Sequence, residues 1–229
     1  MTKTFLKAAT LVGALTAVGL TLAPNPAQAF TLQSRLNGDP RPSNPQNLIV
    51  DLSIVSGEGS IAANQASWTV DINSFAYPNV KLDAFYFNLS NTIKSLVSFS
   101  NFSPSGWGIV SGTNAKGSGG ADFDFGVDKT INSANDVTNT TSLTFLITAH
   151  NLGRALLPTD FTNASFSTGA GGAISGQAGA HLIALGDGRS GFAVGKVPTP
   201  ALLPGLIALG ASVLRKRKGE QMAEANAEV

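Results

Sequence analysis

The chain has no cysteine, two histidines and few charges, with Asp, Glu, Lys and Arg making up 13% of 229 residues. Each shortage excludes something. Without cysteine there is no disulfide framework, no thiolate nucleophile and no cysteine-ligated metal, so burial alone must stabilise a folded body. Two histidines, His150 and His181, and no H-E-x-x-H remove the zincin pattern; G-x-S-x-G is also missing. Between residues 30 and 196 there are nine Lys/Arg and eleven Asp/Glu. That near-neutral balance offers no basic face and no basic–aromatic interleaving for nucleic acid. The net charge of +1 for the whole chain comes from its two ends.

The ends carry the clearest pattern. Residues 1–29 read MTKTFLKAATLVGALTAVGLTLAPNPAQA. Lys3 and Lys7 give a positive start, Ala8 to Ala23 an uncharged, mostly apolar run, and Ala27-Gln28-Ala29 a small-x-small cleavage site before Phe30. This order predicts a secretory signal peptide, cut by signal peptidase between Ala29 and Phe30. At the other end, residues 197–218 read VPTPALLPGLIALGASVLRKRK. Ala201 to Leu214 is 14 residues, about 21 Å as a helix, against a hydrocarbon core of about 30 Å. Pro204 weakens the helix before it. The cluster Arg215, Lys216, Arg217 and Lys218 predicts a cytoplasmic stop, because Lys and Arg stay inside. Residues 219–229 would then be a short cytoplasmic tail. A plain core helix with a solvated basic end is the competing reading of the same segment.

A Pro-x-Pro element (Pro198, Thr199, Pro200), a short apolar segment opening with Pro204 and Gly205 in its first turn, and a terminal basic cluster together resemble a PEP-CTERM sorting signal, in the form common in cyanobacteria. Thr199 stands where that family usually has Glu. The resemblance covers about 25 residues. It implies an exported protein, transiently anchored in the inner membrane, handed to an exosortase, and passed to the cell surface or beyond. More loosely, the body is similar in layout to exported proteins of that kind: a Trp-bearing early strand, an Asp-Phe-Gly-Val strand after a Gly-rich turn, and a late His-Leu strand before Gly186-Asp187-Gly188-Arg189-Ser190-Gly191.

The body, residues 30–196, is rich in Ser, Thr, Asn and Gly, and its apolar residues alternate. Period-2 runs predict strands over 48–56, 67–72, 80–89, 96–102, 107–110, 121–127, 142–149 and 180–185. No internal repeat is visible. Short, turn-bounded strands predict one all-β domain, an antiparallel β-sandwich of jelly-roll type, with helix confined to the signal segment and the sorting tail.

Chemistry is sparse. G-D-G-R-S-G fits the letters of a dinucleotide fingerprint, yet no helix and no acidic partner follow, so a glycine turn is expected. Asp122, Asp124 and Asp128 sit at alternate-residue spacing, sharing one strand face opposite Phe123, Phe125 and Val127. They are candidate calcium ligands or simply a solvent face. The EF-hand pattern does not fit, since Gly126 takes a ligand position and Ser133 stands at the closing Glu. Trp68, Trp107, Tyr77 and Tyr86 are candidate sugar-stacking rings or core residues. Asn88, Asn101, Asn139 and Asn163 lie in N-x-Ser/Thr triplets, read as surface polarity. The function expected is a non-enzymatic exported surface or matrix protein associated with exopolysaccharide. A carbohydrate-binding module and, third, a secreted hydrolase are the alternatives.

Overall fold

The computed structural model describes residues 29–38, 44–110, 114–132, 134–169, 174–186 and 188–197. The strands are β1 (Phe30–Gly38), β2 (Ile49–Ser56), β3 (Gln65–Ile72), β4 (Lys81–Phe87), β5 (Val97–Ser103), β6 (Trp107–Val110), β7 (Phe125–Lys129), β8 (Leu143–Ala149), β9 (Ser167–Thr168), β10 (Ser175–Gly176), β11 (Ala178–Ile183) and β12 (Gly191–Gly195), with one short helix, α1 (Thr159–Thr162). Ten of them form a single antiparallel sheet in the order β5-β8-β3-β2-β1-β12-β11-β4-β7-β6, while β9 and β10 pair separately. The sheet curls into a nearly closed barrel-like sandwich. The protein is all-β, as its alternation predicts; α1 is a helix inside the body, where none is expected.

The alternation is what folds the sheet. In β2, β3 and β8 every second residue is buried. Register sets Ile54 beside Trp68 and Trp68 beside Phe145. The Trp68 ring lies 4.7 Å from Phe87, 5.6 Å from Phe145 and 5.9 Å from Phe161. Aromatic rings also close the barrel. The sheet ends at β5 and β6, which no ladder joins, but Phe99 of β5 meets Phe125 of β7 at 4.9 Å and Phe87 of β4 at 6.0 Å. Burial thus does at the seam what backbone pairing does elsewhere.

A second layer covers part of the outside. Ala115, Ala121, Phe123 and Ile174 pack on Ala84, Tyr86 and Phe192, which point outward from the sheet. The link between β11 and β12 is a glycine turn, as expected for G-D-G-R-S-G: Gly186 and Gly188 have φ of 88° and 69°, and the Arg189 amide donates to the Gly186 carbonyl. Among the described residues no helix is long and apolar enough to cross a membrane. Ala27, Pro198, Thr199, Pro200, Pro204, Gly205 and Arg215 to Lys218 lie outside the described residues.

Candidate functional site

A polar cluster sits where the second layer meets the sheet, and a β-bulge builds it. Leu182 pairs with Leu82, but the next pair is His181 with Ala84, so Asp83 is an extra residue on β4. A bulge bends the strand and re-aims its side chains. Here it lays the Asp83 carboxylate against His181, whose Nδ1 donates to Asp83 Oδ2 at 2.9 Å. Lys116, from the covering segment, reaches Asp83 at 3.3 Å and Asp128 at 2.9 Å. Its own amide donates to the Tyr86 hydroxyl at 3.2 Å. Gly117 follows at φ 71°, and a Cβ there would stand 2.7 Å from His181 Cδ2 and 3.0 Å from Nε2. Only glycine lets the backbone lie so close on the imidazole. His181 is 8% exposed, with Asp83 on one nitrogen and the Gly117 backbone against its far edge. The geometry ties segment 114–123 to the barrel wall.

Protonation follows the contacts. Burial is the largest influence on Asp83 and pushes its carboxyl up, but the His181 hydrogen bond and the Lys116 charge together outweigh it and hold it below its ordinary value. Lys116 is held above its ordinary value, first by the hydrogen bond to Asp128, against an opposing effect of burial. Burial pushes the Tyr86 phenol up. A carboxyl lowered on folding stabilises fully above its unfolded value, about 3.9, and the gain is lost as pH falls through the folded value. A raised lysine stabilises fully below about 10.4 and loses the gain as pH climbs through its folded value. Asp83→Asn should therefore cost about 1–2 kcal/mol at neutral pH and flatten the stability curve below about pH 4, measured by urea unfolding across pH. An acid limb as steep as that of the wild type would show that Asp83 does not contribute.

The three candidate calcium ligands do not converge. Asp128 is taken by Lys116 and by the Lys129 amide. Asp124 accepts from Lys94 Nζ and the Leu89 amide, both at 3.2 Å. Asp122 is exposed, and its backbone carbonyl accepts from the Ser167 hydroxyl. The shared face fails for a local reason. The Asp124 amide donates to Asn88 Oδ1 at 2.7 Å, the chain bends there, and β7 begins only at Phe125. Phe123 then packs in the outer layer while Phe125 and Val127 face the main core. Among the described residues no group of three or more acidic or histidine side chains is placed to hold a metal ion.

Comparison with protein-family models, curated proteins and solved structures finds no match for this chain.

Three of the four candidate stacking rings are interior. Trp68, Trp107 and Tyr86 are buried, Trp107 Nε1 donating to the Asn135 carbonyl at 2.9 Å. Tyr77 is half-buried and its hydroxyl donates to the Gln46 carbonyl. What the outside of β1, β2, β3 and β8 offers instead is polar. Register lines up Gln33, Ser53, Thr69 and Thr144 across four strands. Beside them Arg35 clamps Asp51 at 2.7 and 3.1 Å, Asn73 donates to the same carboxylate, and Ser142 donates to Asp71. The hydrogen bond from Arg35 is the main reason the Asp51 carboxyl is lowered. An open groove of about 510 Å³ runs over this area, lined by Gln33, Arg35, Asp51, Ser53 and Asp71 among others. His150 is exposed, and its Nε2 lies 2.7 Å from the Ser98 hydroxyl.

Two residues, one misread as surface polarity and one unmarked in the sequence, organise the end of the barrel where β1 starts. Asn88 is 3% exposed and bonds the Ser165 carbonyl, the Ser167 hydroxyl and the Asp124 amide. Its N-x-Ser triplet is therefore not surface polarity. Gln177 donates to the Thr162 and Ala164 carbonyls and accepts from the Val197 amide at 2.9 Å. The triplet pattern flags Asn88 for the wrong reason, and nothing local flags Gln177.

Proposed function

We propose that this protein is exported, carries a removable sorting tail of PEP-CTERM type, and serves outside the cell as a non-enzymatic surface or matrix component that associates with exopolysaccharide. The observation that carries this reading is the fit of the targeting segments to the fold. The cleavage site Ala27-Gln28-Ala29 directly precedes Phe30, the first residue of β1, and the apolar-basic tail follows Val197, the residue clamped by Gln177. The two removable segments thus bracket the barrel without cutting into it. In this reading the flanking segments are a signal helix and a short membrane helix, with exosortase acting between Val197 and the basic stop.

Polysaccharide suits the outer face of β1, β2, β3 and β8. Its hydroxyls, amides and carboxylates exchange hydrogen bonds with sugar hydroxyls and water on equal terms. Single contacts of that kind are weak, and many copies on one polymer retain a protein by multivalency. The test is to recover the protein from outside the cells and determine both termini. The expected product begins at Phe30 and lacks residues 215–218. A product that still begins with Met1 would overturn export. The recovered protein should also co-sediment with exopolysaccharide of the source organism; no sedimentation, with or without calcium, would remove the matrix role and leave the export route standing.

A further inference from the structure

Phe30 opens β1 and Val197 follows β12, and these strands are antiparallel neighbours, so both chain ends leave the barrel at one end. The exit is fixed. Val197 is 4% exposed, its amide is held by Gln177, and the Ser34 hydroxyl donates to the Lys196 carbonyl. Three residues, 198–200, separate it from Ala201, where the apolar run begins. The four residue steps from Val197 to Ala201 span at most about 14 Å. If the tail inserts as proposed above, this short tether holds the exit end of the barrel against the bilayer surface.

That end is dressed for the meeting. Phe166 is 45% exposed and Leu157 41%. Both belong to the segment between β8 and β9, which is seated at the exit end by Phe161 packing on Phe30 at 5.9 Å. The Lys196 ammonium lies 5.1 Å from the centre of the Phe166 ring. We propose that Leu157, Phe166 and Lys196 form a bilayer-docking surface, used while the tail is anchored. The two apolar side chains enter the headgroup boundary, where aromatic rings are favoured, and Lys196 pairs with anionic headgroups. Glu58, which accepts from the Thr31 hydroxyl, and Asp122, whose carbonyl accepts from the Ser167 hydroxyl, put negative charge at this end, so docking without the tether is weak. Tethering raises the local concentration and makes the weak contact effective. Removal of the tail then releases the body, which is the outcome the sorting route requires.

This inference rests on the inserted tail, and the test separates the two. The chain has no cysteine, so Leu157→Cys, Phe166→Cys and Phe75→Cys each give a single labelling site. Phe75 is 73% exposed and follows the far end of β3, away from the exit. Protein spanning residues 30–229, tail in place and signal segment removed, carrying an environment-sensitive fluorophore at one of these positions is reconstituted into vesicles of phosphatidylcholine with a quarter phosphatidylglycerol. Quenching by headgroup spin-labelled lipid should be at least about twofold greater at 157 and at 166 than at 75. All three positions are exposed, so unchanged melting temperatures will confirm that the labelled chains are folded. Protein that floats with the vesicles but is quenched equally at the three positions overturns the docking surface alone. Protein that does not float with the vesicles overturns the inserted tail, and docking with it.

Discussion

Trp68→Ala is expected to lower the unfolding free energy by about 3–5 kcal/mol, a fifth or more of the roughly 5–15 kcal/mol that a domain commonly has. The indole is fully buried and touches rings from three elements besides its own: Phe85 and Phe87 of β4, Phe145 of β8 and Phe161 of α1. Three of those rings are fixed by strand register and Phe161 is seated by α1, so they cannot collapse freely into the space an alanine leaves, and the cavity cost adds to the lost transfer energy. Trp68→Phe separates packing from polarity. Trp68 Nε1 makes no hydrogen bond among the described residues, so the indole forfeits its water partner on burial. Phenylalanine removes that penalty and most of the volume loss, and should cost less than about 1.5 kcal/mol. Urea unfolding of both variants is the measurement. A loss for Trp68→Phe as large as for Trp68→Ala would mean that the N–H is satisfied and that its bond, not the ring packing, stabilises the core.

The same physics explains how much of the fold can be read from the sequence. Strands β2, β3 and β8 are legible because each has one face in the core and the other in water, so composition alternates with the pleat. β1 begins the same way, with Phe30, Leu32 and Leu36 inward, but Ser34 interrupts the inward row because its hydroxyl is needed by the Lys196 carbonyl. β12 is harder still. It reads Gly-Phe-Ala-Val-Gly and looks like part of a glycine turn. Its glycines serve packing instead: a Cβ on Gly191 would stand 2.5 Å from Leu48 Cδ1, and one on Gly195 would stand 2.8 Å from Leu36 Cδ2. Close approach of neighbouring chains and a tight turn select the same residue, and the sequence does not tell them apart. The candidate site is less legible than the fold. Asp83 and His181 are 98 positions apart and meet through a bulge, which leaves no periodic trace. The alternating aspartates fail in the opposite way. Their spacing implies a common face, but the spacing says nothing of the Asn88 side chain that bends the strand at Asp124.

Arg154→Ala is expected to cost about 3–5 kcal/mol, although the arginine is partly exposed. The reason lies with its partner. The Asp160 side chain is 3% exposed and receives Arg154 at 2.8 Å on one oxygen and 2.7 Å on the other, with the Leu157 amide as a third donor at 2.8 Å. Without the guanidinium a carboxylate stays buried with a single amide to offset its lost hydration. Arg154→Lys should be intermediate, since an ammonium restores charge but not the two parallel hydrogen bonds. The double variant Arg154→Met, Asp160→Leu should lie closer to wild type than Arg154→Ala does, because it removes the stranded charge as well as the pair. The loss should also be local before it is global. The pair pins the segment that carries α1, which seats Phe161 on Phe30 and Trp68 and gives Gln177 its carbonyl partners at Thr162 and Ala164. In Arg154→Ala, amide exchange should rise first between residues 150 and 166 and at the Val197 amide, well below the temperature of global unfolding. Uniform acceleration over the whole barrel would instead show that this end of the molecule opens only when everything does, and that the clamp on the tail is as stable as the core.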